Sequence, residues 1–151
     1  MAMDLIKIKP KELSIILEKA FVQRKPIMVV GVPGIGKSEI IDQVTTKITY
    51  DMVTMYPAIS DPTDFKGIPV FNRKTGRAGF EPVGTLWNLI NATKPTVCLI
   101  DDLGQANMSV MAASMHLFSA RHVGDHKISD FVTFVVATND KTHHAGVSGV
   151  I

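Results

Sequence analysis

Several features are scarce in this chain, and each scarcity excludes something. Cys98 is the single cysteine among 151 residues. One thiol cannot close an intrachain disulfide or build a cysteine metal cluster, and its apolar surroundings predict a buried strand residue. Histidine is present at His116, His122, His126, His143 and His144, but never in an H-E-x-x-H pattern. A zinc centre is therefore not expected, and the His143-His144 pair beside Asp140 reads as an exposed turn-like loop. Apolar runs are short, well under the roughly eighteen residues a membrane helix needs. The stretch from Met1 to Lys11 alternates apolar and charged residues and lacks the apolar core of a secretory signal. A cytoplasmic protein is the expectation. Charge of one sign is also lacking. Sixteen Lys and Arg stand against 14 Asp and Glu, for a net charge of +2, and Lys and Arg form no long run. The overall balance gives no reason to expect nucleic-acid binding.

What is present is a core. Hydrophobic residues make up 46% of the chain, and the length suits one domain spanning residues 1–151. Leu13, Ile16, Leu17, Ala20 and Phe21 recur at helical spacing and predict a helix from Pro10 to Gln23. Ile27 to Val30 is wholly apolar, the pattern of a strand covered on both faces. A second helix is predicted from Lys37 to about Lys47, with Ile40, Ile41 and Val44 inward. Ile48 to Pro57 reads as a strand. From Ile59 to Pro82 glycine and proline break the pattern, with a hairpin expected over Val70 to Phe80. A helix follows from Val83 to Asn91, then a buried strand from Thr96 to Ile100. Gln105 to Ser119 reads as a helix burying Met108, Met111, Ala112, Met115 and Phe118. Gly124 and Asp125 mark a turn, and Phe131 to Thr138 is a further apolar strand. The tail from Asn139 onward is turn-like. Four apolar strands separated by helical segments predict an α/β fold, a three-layer sandwich with a mainly parallel central sheet.

The run Gly31-Val32-Pro33-Gly34-Ile35-Gly36-Lys37-Ser38 satisfies G-x-x-x-x-G-K-[ST] in full, between an apolar strand and an amphipathic helix. Glycines let consecutive backbone N–H groups turn toward phosphate oxygens, and the following helix adds its amino-terminal dipole. Gly31, Val32, Pro33, Gly34, Ile35, Gly36, Lys37, Ser38 and Glu39 are thus expected to hold ATP. Lys37 serves the β and γ phosphates, and Ser38 offers a hydroxyl to Mg²⁺. The strand Thr96 to Ile100 ends in Asp101 and Asp102. Strand tips in such a sheet gather at one edge, which predicts Asp101 as a Mg²⁺ ligand and Asp102 as the group that orients or deprotonates the attacking water.

Together with the Asp61 to Pro69 stretch, the Ile100 to Ala106 stretch, the Arg121 to Ile128 turn and Phe134-Val135-Val136-Ala137-Thr138-Asn139, this loop resembles the AAA+ ATPase superfamily, and within it the MoxR-like ATPases. The resemblance covers roughly residues 10 to 150. It implies an ATP hydrolase working as a ring of copies of itself, usually a hexamer, with Asn139 polarising the attacking water. Catalytic roles therefore fall on Lys37, Asp102 and Asn139. Asp102 stands where the family has glutamate, one methylene longer. The family's arginine finger and helical lid are not among these residues, so weak turnover is expected of this chain alone. Arg121 does not match the finger's position.

The near-neutral charge favours remodelling of a protein partner. The alternatives are a nucleic-acid translocase, helicase or loader, and a nucleotide-dependent assembly module with little hydrolysis. Lys66, Arg73, Lys74 and Arg77, interleaved with Phe71 and Phe80, are the local feature that would suit nucleic acid or an acidic polypeptide.

Overall fold

A computed structural model of the chain describes residues 7–139. The chain's first described element is helix α1 (Pro10–Val22), which buries Leu13, Leu17 and Phe21, one residue per turn. The Lys9 N–H donates to the Glu12 carboxylate at 2.7 Å, which closes the first turn. Strand β1 (Ile27–Gly31) leads through the glycine-rich loop into α2 (Lys37–Lys47), and β2 (Asp51–Met55) follows. After a single-turn helix α3 (Thr63–Lys66) come the antiparallel strands β3 (Ile68–Asn72) and β4 (Arg77–Glu81). Helix α4 (Thr85–Ile90), strand β5 (Thr96–Ile100) and helix α5 (Met108–Ala120) complete the middle. A small hairpin, β6 (His122–Val123) and β7 (His126–Lys127), precedes β8 (Val132–Asn139).

Four strands form one parallel sheet in the order β1-β8-β5-β2. Side chains alternate across it. Val97 and Leu99 of β5, with Val135 and Ala137 of β8, pack against Leu17, Phe21, Ile41 and Val44 of α1 and α2. Cys98, Ile100, Phe134 and Val136 face the other way, toward Leu86, Leu89, Val110 and Leu117 of α4 and α5. β5 and β8 are covered on both faces, which explains their largely apolar, β-branched-rich sequences. The result is the expected three-layer α/β sandwich.

The departures from expectation are local. α5 begins at Met108, and the three residues before Ala106 form a separate 3₁₀ turn, Leu103–Gln105. Its buried stripe is Val110, Met111, Ser114 and Leu117, whereas Met108 is 76% exposed and Ala112 is exposed too. Apolar residues surround this helix, so period alone does not fix its face. Asn107, whose side chain caps the Val110 N–H, sets where the helix starts. In α2, Ile40 is only half-buried, while Ile41, Val44 and Thr45 are buried. The expected hairpin over Val70 to Phe80 is longer at its base by three residues, Ile68, Pro69 and Glu81, running from Ile68 to Glu81. The turn marked by Gly124 and Asp125 is the tip of β6–β7. Trp87 of α4 is 55% exposed. The His143-His144 pair lies outside the described residues.

Candidate functional site

The glycine-rich loop begins at the tip of β1 and ends at Gly36, which is the N-cap of α2. Gly36 has φ +83°, a left-handed conformation that a side chain at this position would strain. This twist turns the chain sharply into α2. No side chain caps the helix start, so the N–H groups of its first turn carry no protein cap. Uncapped donors at a helix amino terminus are a ready seat for an anion.

Lys37 is the first residue of α2 and only 7% exposed. Its ammonium donates to the Gly31 and Val32 carbonyls, each at 3.2 Å, and to Asn139 Oδ1 at 2.9 Å. The contact with Asn139 follows from strand order. β8 lies beside β1, and Asn139 is in register with Gly31. β8 also runs past the end of β5, whose Ile100 aligns with Val136. Asn139 therefore sits three residues further out, level with the loop.

Ser38 Oγ donates to Asp101 Oδ2 at 2.7 Å. The other oxygen, Asp101 Oδ1, accepts from the Asp102 N–H at 2.9 Å. The carboxylate is thus held at both oxygens, one bond pointing at the loop and one at its own chain. Asp102 is exposed and has φ +51°, ψ +40°, an uncommon state for a non-glycine residue. It caps the 3₁₀ turn Leu103–Gln105 through its carbonyl, which accepts from the Gln105 N–H at 2.9 Å. Lys37, Ser38, Asp101 and Asn139 are brought together by hydrogen bonds. Asp102 adjoins the group, and Glu39 is exposed on α2, with one carboxylate oxygen 3.7 Å from where a Cβ at Gly36 would stand and a long 3.5 Å contact from Gln43. Val32, Pro33, Gly34 and Ile35 form the exposed outer wall of the loop.

Two sequence-marked residues are used elsewhere. Arg121 ends α5 with φ +55° and turns its guanidinium inward. It donates to the Ser129 and Val132 carbonyls, both at 2.9 Å, and stacks on the Phe134 ring at 5.3 Å. Burial lowers its pKa from the ordinary arginine value, partly opposed by Asp130 and Cys98. Its hydrogen bonds fasten α5 to the start of β8. Cys98 lies on the same side of the sheet, and burial pushes its thiol up to about 12, with Arg121 pulling the other way. Sequence reasoning did not foresee the direct Lys37–Asn139 bond. Nor did it foresee a 340 Å³ groove beyond the end of β2, lined by Tyr56, Ile59, Asp64, Val83 and Thr85 among others. The bond depends on strand order and the groove on loop packing, and neither leaves a linear pattern.

No model of a known protein family matches the sequence, and no curated protein matches it. Solved structures do. A candidate ATPase from Cytophaga hutchinsonii is 17% identical with a TM-score of 0.55, over 93% of this chain and 41% of that one. The P216G mutant of Thermotoga maritima RuvB is 17% identical with a TM-score of 0.57, over 92% and 40%. T. maritima RuvB described as a Holliday junction branch migration motor is 18% identical with a TM-score of 0.53, over 92% and 39%. The chain spans about two fifths of the length of these proteins. Sheet order and likeness together show the fold: a three-layer α/β sandwich with a parallel central sheet, of the kind found in the core of P-loop NTPases.

Proposed function

We propose that this chain is the ATP-binding core of an AAA+ ATPase of the MoxR-like kind, coupling hydrolysis of ATP to the remodelling of a macromolecular partner. One observation carries the reading: a buried ammonium and a serine–carboxylate pair converge on a loop at an uncapped helix start. The ammonium is Lys37, held by Asn139, and the pair is Ser38 with Asp101.

Each residue then has a task its chemistry suits. Backbone N–H groups of Gly34 to Glu39 receive phosphate oxygens. Lys37 exchanges carbonyl and amide partners for the β and γ phosphates. The Ser38 hydroxyl and the Asp101 carboxylate are hard oxygen donors, the set that Mg²⁺ prefers. When bound, Mg²⁺ offsets the negative charge of the phosphate oxygens. Asp102 accepts the proton of the attacking water, and Asn139 orients that water. Copies of the chain assemble into a ring, as the resemblance to AAA+ ATPases implies. The exposed, left-handed Asp102 favours a second reading, in which hydrolysis is slow and ATP chiefly drives assembly.

Titration calorimetry with ATP and Mg²⁺ tests the site. Saturable binding is expected for the native chain and none for Lys37→Ala. Sedimentation with and without nucleotide, with phosphate release followed in parallel, separates the two readings. Native protein that binds no ATP at millimolar concentration overturns both.

A further inference from the structure

The β3–β4 hairpin is the least covered element of the fold, with every residue of both strands exposed. Phe71 is 61% exposed and Phe80 39%. Their positions are not scattered. Phe71 pairs with Ala78, and Pro69 pairs with Phe80. Directly paired residues share a face of an antiparallel ribbon, so both rings stand on one face, diagonally across the two strands. Ala78, opposite Phe71, is too small to cover the ring.

Positive charge surrounds this face. Arg73 and Lys74 lie in the turn at the tip, the Lys66 ammonium lies 5.6 Å from the Phe80 ring centre, and no Asp or Glu occurs between Phe65 and Glu81, whereas Arg77, paired with Asn72, stands on the opposite face. The near-neutral total charge of the chain conceals this local excess. The root of the hairpin is firmly held. Phe65 is buried in the core, and His126 of β7 meets Glu81 at 3.0 Å. At Gly124 any Cβ would collide with the Phe80 carbonyl.

We infer that this hairpin is a docking surface for single-stranded nucleic acid, with bases stacked on Phe71 and Phe80 and phosphates neutralised by Lys66, Arg73 and Lys74. Two rings a short diagonal apart offer flat apolar faces to successive bases, and every base has a face to stack. A duplex hides those faces, so an exposed aromatic pair selects for single strands. As the substrate of the ATP-driven machine proposed above, the strand rests on that reading; as a binding surface, the hairpin is measured without nucleotide.

Fluorescence anisotropy on the full chain uses labelled oligo-dT, oligo-U, a DNA duplex and poly-glutamate. Binding to one or both single strands is expected, with the two arms separating DNA from RNA. Three phosphate contacts predict a loss of about twentyfold between 50 and 200 mM salt. Phe71→Ala should weaken binding by about 5- to 160-fold, while Phe71→Tyr retains it. Combined Lys66→Ala, Arg73→Ala and Lys74→Ala should lower affinity and flatten the salt dependence. Circular dichroism and ATP titration of the same variants should match the native chain, so failure here is distinct from failure of the ATP site. The inference is overturned if neither strand binds at 50 mM salt, if the duplex or poly-glutamate binds as tightly, or if Phe71→Ala has no effect.

Discussion

Lys37 is a lysine with only 7% of its surface exposed, and its three hydrogen-bond partners are neutral oxygens. Burying an ammonium costs several kcal/mol unless its donors are satisfied, and carbonyl dipoles satisfy them without neutralising the charge. An arriving phosphate would supply the missing negative charge. Asn139 is therefore a placeholder as well as a candidate water-orienting group, because its amide oxygen occupies a donor that ATP would claim. The consequence is specific to the side chain's charge. Asn139→Asp puts a carboxylate 2.9 Å from the ammonium in nearly the same volume, which makes a charged competitor for phosphate. ATP affinity should fall at least on the order of tenfold for Asn139→Asp. Asn139→Ala should bind within a few-fold of the native chain while losing turnover. Titration of both variants checks this, and equal affinities for Asp and Ala would remove the placeholder role.

At the scale of elements, what the sequence disclosed depended on whether a structure is local. β1, β5 and β8 were legible because strands covered on both faces are written as largely apolar, β-branched-rich runs. The glycine-rich loop was legible because its chemistry has a fixed spacing. The face of α5 was not, since apolar residues on all sides leave the choice to its partners in the core. The convergence of Lys37 with Asn139 and of Ser38 with Asp101 was legible only as a shared sheet edge. Their bonds follow from β8 lying between β1 and β5. The coupling of two hairpins was also hidden, because it rests on one close backbone approach. Gly124 has φ +56°, and an added Cβ would meet the Phe80 carbonyl. Both penalties fall on one residue. Gly124→Ala should cost about 1–3 kcal/mol and loosen β4 from β6–β7 without touching the glycine-rich loop. Hydrogen exchange should show faster labelling in residues 77–81 and unchanged labelling at 31–38. Unchanged exchange in β4 would mean that the contact does not anchor the hairpin.

For the whole molecule, the candidate site is where separate layers meet. Lys37 and Ser38 come from α2, Asp101 from the tip of β5 and Asn139 from the tip of β8. A ligand held by all of them binds the folded state alone, because the unfolded chain cannot gather them. Ligand at a hundred times its dissociation constant then stabilises the fold by about 2.7 kcal/mol. For a domain of this size each kcal/mol moves the melting temperature by about 2–4 °C, so ATP with Mg²⁺ should raise it by about 5–10 °C. Lys37→Ala is the informative control, but its own melting temperature is not the readout. Removing the ammonium leaves the Gly31 and Val32 carbonyls and the Asn139 amide without that donor, which changes stability on its own account. The readout is the shift caused by ligand, expected for the native chain and absent for the variant. Chelating Mg²⁺ should remove most of the native shift if Ser38 and Asp101 hold the cation, and little of it if they serve only to pin the loop. A native chain whose melting temperature ignores millimolar ATP would mean that the convergence of these elements holds the sheet together and binds nothing.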